Sequence, residues 1–275
     1  MIPDLEARME PDIQLRRQSE IAAGADTATV SAQRRASWFA RLLVWLFGVW
    51  ALIIAIFFLA TTLNAPDPVT RAITGMALGL FVCWTVLGGA LSLLLRHRVR
   101  SVLRRFDAHW RIAFVLFATL MALLEEAVTT TMTNAAPLWG VPVGKAYITA
   151  SANYLEIVLY HSVIVFIPMF IVWAWLLRRY AFSPAAVFVL YGCAGTLAET
   201  LSFGAQNLVA LGFWAYVYGL MVYLPACAIP PERGARRPGV WACLLALILP
   251  ILAAIPVALI ILAIKPPQHA FAPIR

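Results

Sequence analysis

The stretch RRFDAHWRIAFVLFATLMALLEEAVTTTMTN, Arg104 to Asn134, decides the fold of this chain. After a basic start it runs apolar for long enough to cross a bilayer, which takes roughly 20 residues for about 30 Å of hydrocarbon. Inside that run stand two adjacent acids, Glu125 and Glu126. A carboxylate within a bilayer is costly unless it is paired, hydrogen-bonded or hydrated, so an intramembrane acid is a candidate functional group.

Similar runs lie on both sides. Seven segments are long and apolar enough to span: Trp38 to Thr61, Arg71 to Leu95, Trp110 to Asn134, Ala152 to Leu177, Pro184 to Leu208, Gly212 to Ile229 and Val240 to Ile264. With 63% hydrophobic and 12% charged residues and a mean hydropathy of +0.84, the chain lies far from soluble globular composition. The expected fold is an all-α polytopic membrane helix bundle of about seven transmembrane helices, residues 38–264. A polar tail, 1–37, precedes it and a short tail, 265–275, follows. The tail lacks the basic-then-apolar layout of a cleavable signal peptide. Cys83, Cys193, Cys227 and Cys243 all fall in apolar runs without a CxxC pair, which reads as buried small hydrophobes.

The formal charge of +8 does not call for a nucleic-acid partner, because the arginines gather at alternate connections. Arg34, Arg35 and Arg41 border the first span; Arg96, Arg98, Arg100, Arg104 and Arg105 lie between the second and third. Arg178 and Arg179 follow the fourth, and Arg233, Arg236 and Arg237 the sixth. The opposite connections hold only Arg71 and Lys145. By the positive-inside rule the N-terminus is cytoplasmic and the C-terminus extracytoplasmic, in a prokaryotic plasma (inner) membrane.

The chain also reads as a tandem two-helix internal repeat, copies 104–177 and 178–231. "RRF" from Arg104, an apolar run, Glu126 and Asn134 recur as "RRY" from Arg178, an apolar run, Glu199 and Asn207. "HSVIVFIPMF" from His161 matches "YGLMVYLPAC" from Tyr218, with Pro168 opposite Pro225. Glu125 becomes Ala198, and the first copy has an added stretch from Gly140 to Leu155. Parallel insertion of the copies implies a pseudo-twofold axis along the membrane normal that brings the acidic helices together.

Helical rise puts Glu126 about 22 Å from Arg111, Glu199 about 24 Å from Ser183 and His161 about 14 Å from Ala152, one common level. The catalytic candidates are therefore Glu125, Glu126, His161 and Glu199. Helical periodicity adds Thr130, Thr133 and Asn134 to the face of Glu126, and Ser202, Gln206 and Asn207 to that of Glu199. Tyr154 shares the face of His161, whereas Glu156 lies nearer the surface and turned away. A cavity open to the outer side is expected, with Trp139, Tyr147, Trp214 and Tyr216 at its border. The loop APLWGVPVGKAYITASAN, with Gly140, Pro142 and Gly144, is able to fold over it.

Three readings of the constellation remain open. A glutamate activates water while His161 completes an acid/base or metal site, adjacent carboxyls sharing protons as a general base requires. Alternatively the acids relay protons or bind a cation in transport, or they form a static interhelical network. ExxH and HExxH spacings are absent, so metal ranks below proton chemistry and the cofactor is unassigned. The bilayer and an amphiphilic or isoprenoid-like ligand are the expected partners, and oligomeric state is unassigned.

"LLEEAVTTT" resembles the start of the EExxxR motif of the CAAX-type intramembrane glutamic proteases, with Thr130 at the arginine position and the later HxxxN element missing. Glu125, Glu126, Thr133 and Asn134 also resemble the acidic pair followed by Thr-Asn in membrane lycopene cyclases, without that family's preceding proline and following aromatics. Each resemblance covers about ten residues and assigns no membership. Together they imply an intramembrane hydrolase or an isoprenoid-modifying enzyme, with Glu125 and Glu126 in the site.

Overall fold

The computed structural model describes residues 37–103, 109–230 and 233–264. Helix α1 is Ser37–Asn64. A tight connection leads to Asp67, whose carboxylate accepts from the Val69 and Thr70 amides at 3.3 and 2.8 Å. Pro68 takes the first helical position, where its missing N–H costs nothing, and α2 runs Pro68–Leu103. Its Phe81–Gly88 section is π-helical. There Trp84 donates through Nε1 to Val217 O at 3.0 Å, tying α2 to the most buried part of the bundle.

Helix α3, Trp110–Asn134, carries the paired glutamates. After it, residues 135–153 form a short 3-10 turn and a loop with Gly140 and Gly144 at positive φ, as their placement in the sequence suggests. The loop does not fold over the acidic helices. It packs on α2, where Ala136, Val141 and Ala146 meet Ala72 and Met76 in a small apolar cluster and the Trp139 indole lies against Gly75.

Asn153 caps α4, Tyr154–Tyr160, by accepting from the amides of Leu155 and Glu156 at 3.0 and 3.3 Å. The chain breaks at His161 and Ser162 and continues as α5, Val163–Arg179, bent by 45°. The fourth span is therefore a broken one, where sequence periodicity reads a continuous helix.

Ser183 caps α6, Pro184–Phe203, through an Ala186 N–H bond of 3.2 Å. That helix ends five residues before the expected Leu208. Gly204 takes φ 107° and ψ 163°, a conformation closed to residues with a side chain, and Ala205–Ala210 follows as a 3-10 turn. Then come α7, Leu211–Cys227, and α8, Val240–Ile264.

The helix pair α6 and α7 makes the most extensive contact in the molecule. Small residues permit it: Gly192 lies on the Ala215 backbone and Gly195 on the Tyr218 ring, as expected where helix association in lipid depends on close approach. Helices α3 and α5 close around this pair, α8 packs on α5 and α6, and α1 packs on α7. Phe170, Trp173, Leu176, Leu177, Val187, Tyr191 and Met221 are almost wholly buried between them. The most apolar stretches of α1 and α8 are only 11% buried, as lipid-facing helices would be.

Among the described residues six helical stretches and one bent pair are thus long and apolar enough to cross a membrane, as in a multi-pass helical bundle. Among the described residues there is no strand beyond a single bridge between Tyr180 and Arg236. The four cysteines are unpaired and half-buried. The expected tails and the first basic element of the repeat, Arg104 and Arg105, lie outside the described residues.

Candidate functional site

Glu125 and Glu126 are both buried, 4% and 6% exposed, although neighbouring helical positions point about 100° apart. The interior is wide enough at their level to receive both. Glu125 turns along its own helix and accepts a hydrogen bond from Thr129 Oγ1 at 2.7 Å. Glu126 turns toward the break between α4 and α5, where it interacts with Ser162, and both acids lie near Glu199 on α6. The acids of α3 and α6 do share one compartment, about 12 Å below the end of α3 at Asn134, counting helical rise.

The two halves of that compartment differ in how completely their polar groups are paired. On the α6/α7 side, the Tyr218 hydroxyl donates to Glu199. The Asn207 side-chain amide donates to Glu199 O at 3.5 Å and Gly204 O at 3.2 Å, and its Oδ1 accepts from Trp214 Nε1 at 3.2 Å. Trp214 stacks on Tyr218, ring centroids 6.1 Å apart, which closes the circuit.

On the α3/α4/α5 side, Glu126 Oε2, Thr130 Oγ1, His161 Nδ1 and Ser162 Oγ are buried and make no hydrogen bond of normal geometry, although Ser162 lies close enough to Glu126 to interact with it. Glu126 and Thr130 are one turn apart on the same face of α3, and His161 and Ser162 form the break. His161 is held by stacking on Phe203 at the end of α6, centroids 6.2 Å apart and planes at 25°. The break also turns the N-terminus of the 17-residue α5, with its outward N–H groups, toward this place. Acceptor, hydroxyl and imidazole groups thus converge without saturating one another.

The remaining candidates have other occupations. Tyr154 donates to Leu123 O at 3.0 Å and fastens α4 to α3; the break separates it from the face of His161. Thr133 is buried but bonded to Thr129 O at 3.0 Å, and Asn134 ties Thr130 O to Ala152 O at 2.9 and 2.8 Å. Glu156 accepts from Ser151 Oγ at 2.5 Å near the helix start. Ser202, still on α6, and Gln206, in the turn beyond its end, are both exposed. Of the expected border aromatics, Trp214 adjoins the site, whereas Trp139 lies on α2 and Tyr216 donates to Val44 O of α1 at 3.0 Å.

Sequence reading missed Ser162 and Thr129. Thr129 was accessible as the residue one turn beyond Glu125, while Ser162 depends on a break that no proline or glycine between Tyr160 and Val163 marks. Among the described residues no three His, Cys, Asp or Glu side chains converge as a metal site needs. Comparison with known protein families, curated proteins and solved structures finds no match to this chain.

Proposed function

We propose that the protein is an intramembrane enzyme that carries out acid/base chemistry on an amphiphilic, isoprenoid-like lipid at the break between α4 and α5. The observation that carries this reading is the set of four buried atoms without a hydrogen bond of normal geometry, Glu126 Oε2, Thr130 Oγ1, His161 Nδ1 and Ser162 Oγ. A buried polar atom left unpaired costs about 1–3 kcal/mol; unlike the unpaired atoms of Thr85, Trp173 and Tyr191, which are scattered through the packed bundle, these four gather at one place. In this reading the polar atoms of a substrate bond to these groups. Glu126 takes or returns a proton, His161 serves as the second acid/base group, and the Ser162 and Thr130 hydroxyls orient an oxygen of the substrate. Glu125, held by Thr129, gives the shared proton a second resting place.

The reading places the chain in a prokaryotic plasma membrane with the N-terminus cytoplasmic and the C-terminus outside, on the strength of the arginine distribution. The site then lies in the outer leaflet, which suits a substrate that enters from lipid. Exposed apolar side chains near that end of the bundle, Leu155 and Leu159 on α4 and Leu201 on α6, provide a lipid-facing approach.

The test uses the full chain in vesicles of mixed glycerolipids and polyprenols, with lipids followed by mass spectrometry. Wild-type protein is expected to convert a lipid species, and Glu126→Gln and His161→Ala to lose the conversion while keeping the wild-type melting temperature. An unchanged lipid profile accompanied by a proton flux that depends on Glu126 would replace the enzyme with a transporter. If the variants change only the melting temperature, the network is structural.

A further inference from the structure

At the opposite end of the bundle the C-terminus of α5 and the segment after α7 border an open surface pocket of about 350 Å³ lined by Trp175, Arg178, Arg179, Gly234 and Arg236. We propose that this pocket binds a phosphate group carried by an anionic ligand. A topology signal requires only that arginines lie somewhere in a connection. Here the backbone carries them to one place.

The connection is fastened first. Arg236 N donates to Arg179 O at 2.8 Å, and Ala181 N donates to Arg236 O at 2.7 Å, forming the parallel bridge between Tyr180 and Arg236. Arg233 works as a clip: Nε donates to Leu177 O at 2.7 Å and Nη1 to Pro230 O at 2.8 Å. Between clip and bridge, Gly234 turns the chain at φ 65°, with open space where a Cβ would stand. These bonds involve main-chain atoms or Arg233, so the side chains of Arg178 and Arg236 are not needed to hold the loop.

The lining guanidinium groups differ from that of Arg233. Arg178 and Arg236 make no side-chain hydrogen bond or ion pair among the described residues, and Arg179 lies over the Trp175 ring at 4.2 Å. Stacking holds the guanidinium plane while leaving its in-plane N–H donors available. Three positive groups therefore line one concavity, with no carboxylate among the described residues that line it. A tetrahedral dianion satisfies that geometry, because guanidinium groups bond phosphate oxygens through paired N–H donors. The pocket's position beside the basic ends of the spans puts it at headgroup level, so a phospholipid headgroup and a soluble phosphate compound are the two sources of the same chemistry.

The experiment is independent of the glutamate site and is read without any turnover. Full-length protein in phosphatidylcholine nanodiscs is titrated with phosphatidic acid and, separately, with inorganic pyrophosphate, and bound ligand is counted by native mass spectrometry. Wild type is expected to retain at least one of them. Arg178→Gln/Arg236→Gln is expected to weaken that binding about tenfold at an unchanged melting temperature, while Arg98→Gln/Arg100→Gln, which removes two exposed charges from the end of α2, leaves it intact. Retention of phosphatidic acid alone identifies a lipid headgroup, and displacement of it by pyrophosphate identifies a site for the phosphate group itself. Equal losses in the two double variants would reduce the effect to general surface charge and overturn the site, as would failure of wild type to bind either probe. Arg178→Lys/Arg236→Lys separates paired donors from charge: an intermediate loss supports the pocket, and full retention overturns the guanidinium geometry.

Discussion

The hairpin of α3 with α4/α5 and the hairpin of α6 with α7 each place a glutamate in the bundle interior, and they treat it in opposite ways. Glu199 sits in a closed circuit of Tyr218, Asn207 and Trp214, packed on the glycine-lined α6/α7 contact. Glu126 faces a broken helix where His161 Nδ1, Ser162 Oγ and its own Oε2 make no hydrogen bond of normal geometry. The same residue type is thus tied into a hydrogen-bonded circuit in one hairpin and less completely bonded in the other. What separates them is pairing, since both lie within the membrane-spanning part of the chain.

If that difference is functional, exchanging glutamate for glutamine should have opposite signatures on the two sides. Glu126→Gln is expected to lower lipid conversion by about 100-fold or more, the usual contribution of a general acid/base, with little change in melting temperature. Glu199→Gln is expected to act mainly on stability. Equal activity losses at an unchanged melting temperature would break the comparison and make Glu199 part of the chemistry.

Closing the α6/α7 contact is the next largest effect. A Cβ at Gly195 would strike the buried Tyr218 ring, so Gly195→Ala is expected to cost about 3 kcal/mol, the upper part of the range for overpacking, read as a lower unfolding midpoint in detergent. Tyr218→Phe removes only the hydroxyl and leaves the half-buried Glu199 without that donor, for about 2 kcal/mol. The corresponding His161→Phe on the open side is expected to leave the unfolding midpoint nearly unchanged, because the imidazole Nδ1 has no protein partner to lose and the stack on Phe203 survives.

The spans were legible because the bilayer imposes a length and a composition that local sequence carries directly. The shared level of Glu125, Glu126, His161 and Glu199 was legible for the same reason: helical rise converts residue number into depth. What escaped were departures from helical regularity. The break at His161–Ser162 lacks a proline or glycine, and the early end of α6 depends on Gly204, one of many glycines in apolar sequence. Each moved residues across the map: the first brought Ser162 to Glu126, and the second carried Gln206 off the expected polar face into an exposed turn. Side-chain partners such as Val44 O for Tyr216 depend on which helices meet, information distributed over the whole chain.

The two asparagines provide the finest division between the hairpins. Both follow their glutamate by eight residues, yet Asn134 bonds only main-chain carbonyls, of Thr130 and Ala152, whereas Asn207 also accepts from the Trp214 indole that stacks on Tyr218. Asn134→Ala therefore removes a tie between the end of α3 and the start of α4, and its carbonyl partners, near the helix end, remain open to water. Asn207→Ala in addition strands an indole N–H and loosens the ring that supports the Glu199 bond. Each is expected to destabilise by about 1 kcal/mol, with Asn207 the costlier. A double-mutant cycle with Tyr218→Phe sharpens the distinction: Asn207→Ala should couple to it through Trp214, and Asn134→Ala should add independently. Coupling of Asn134 as strong as that of Asn207 would mean that the two hairpins form a single network, and the open character of the Glu126 side would then have to be sought in the helix break alone.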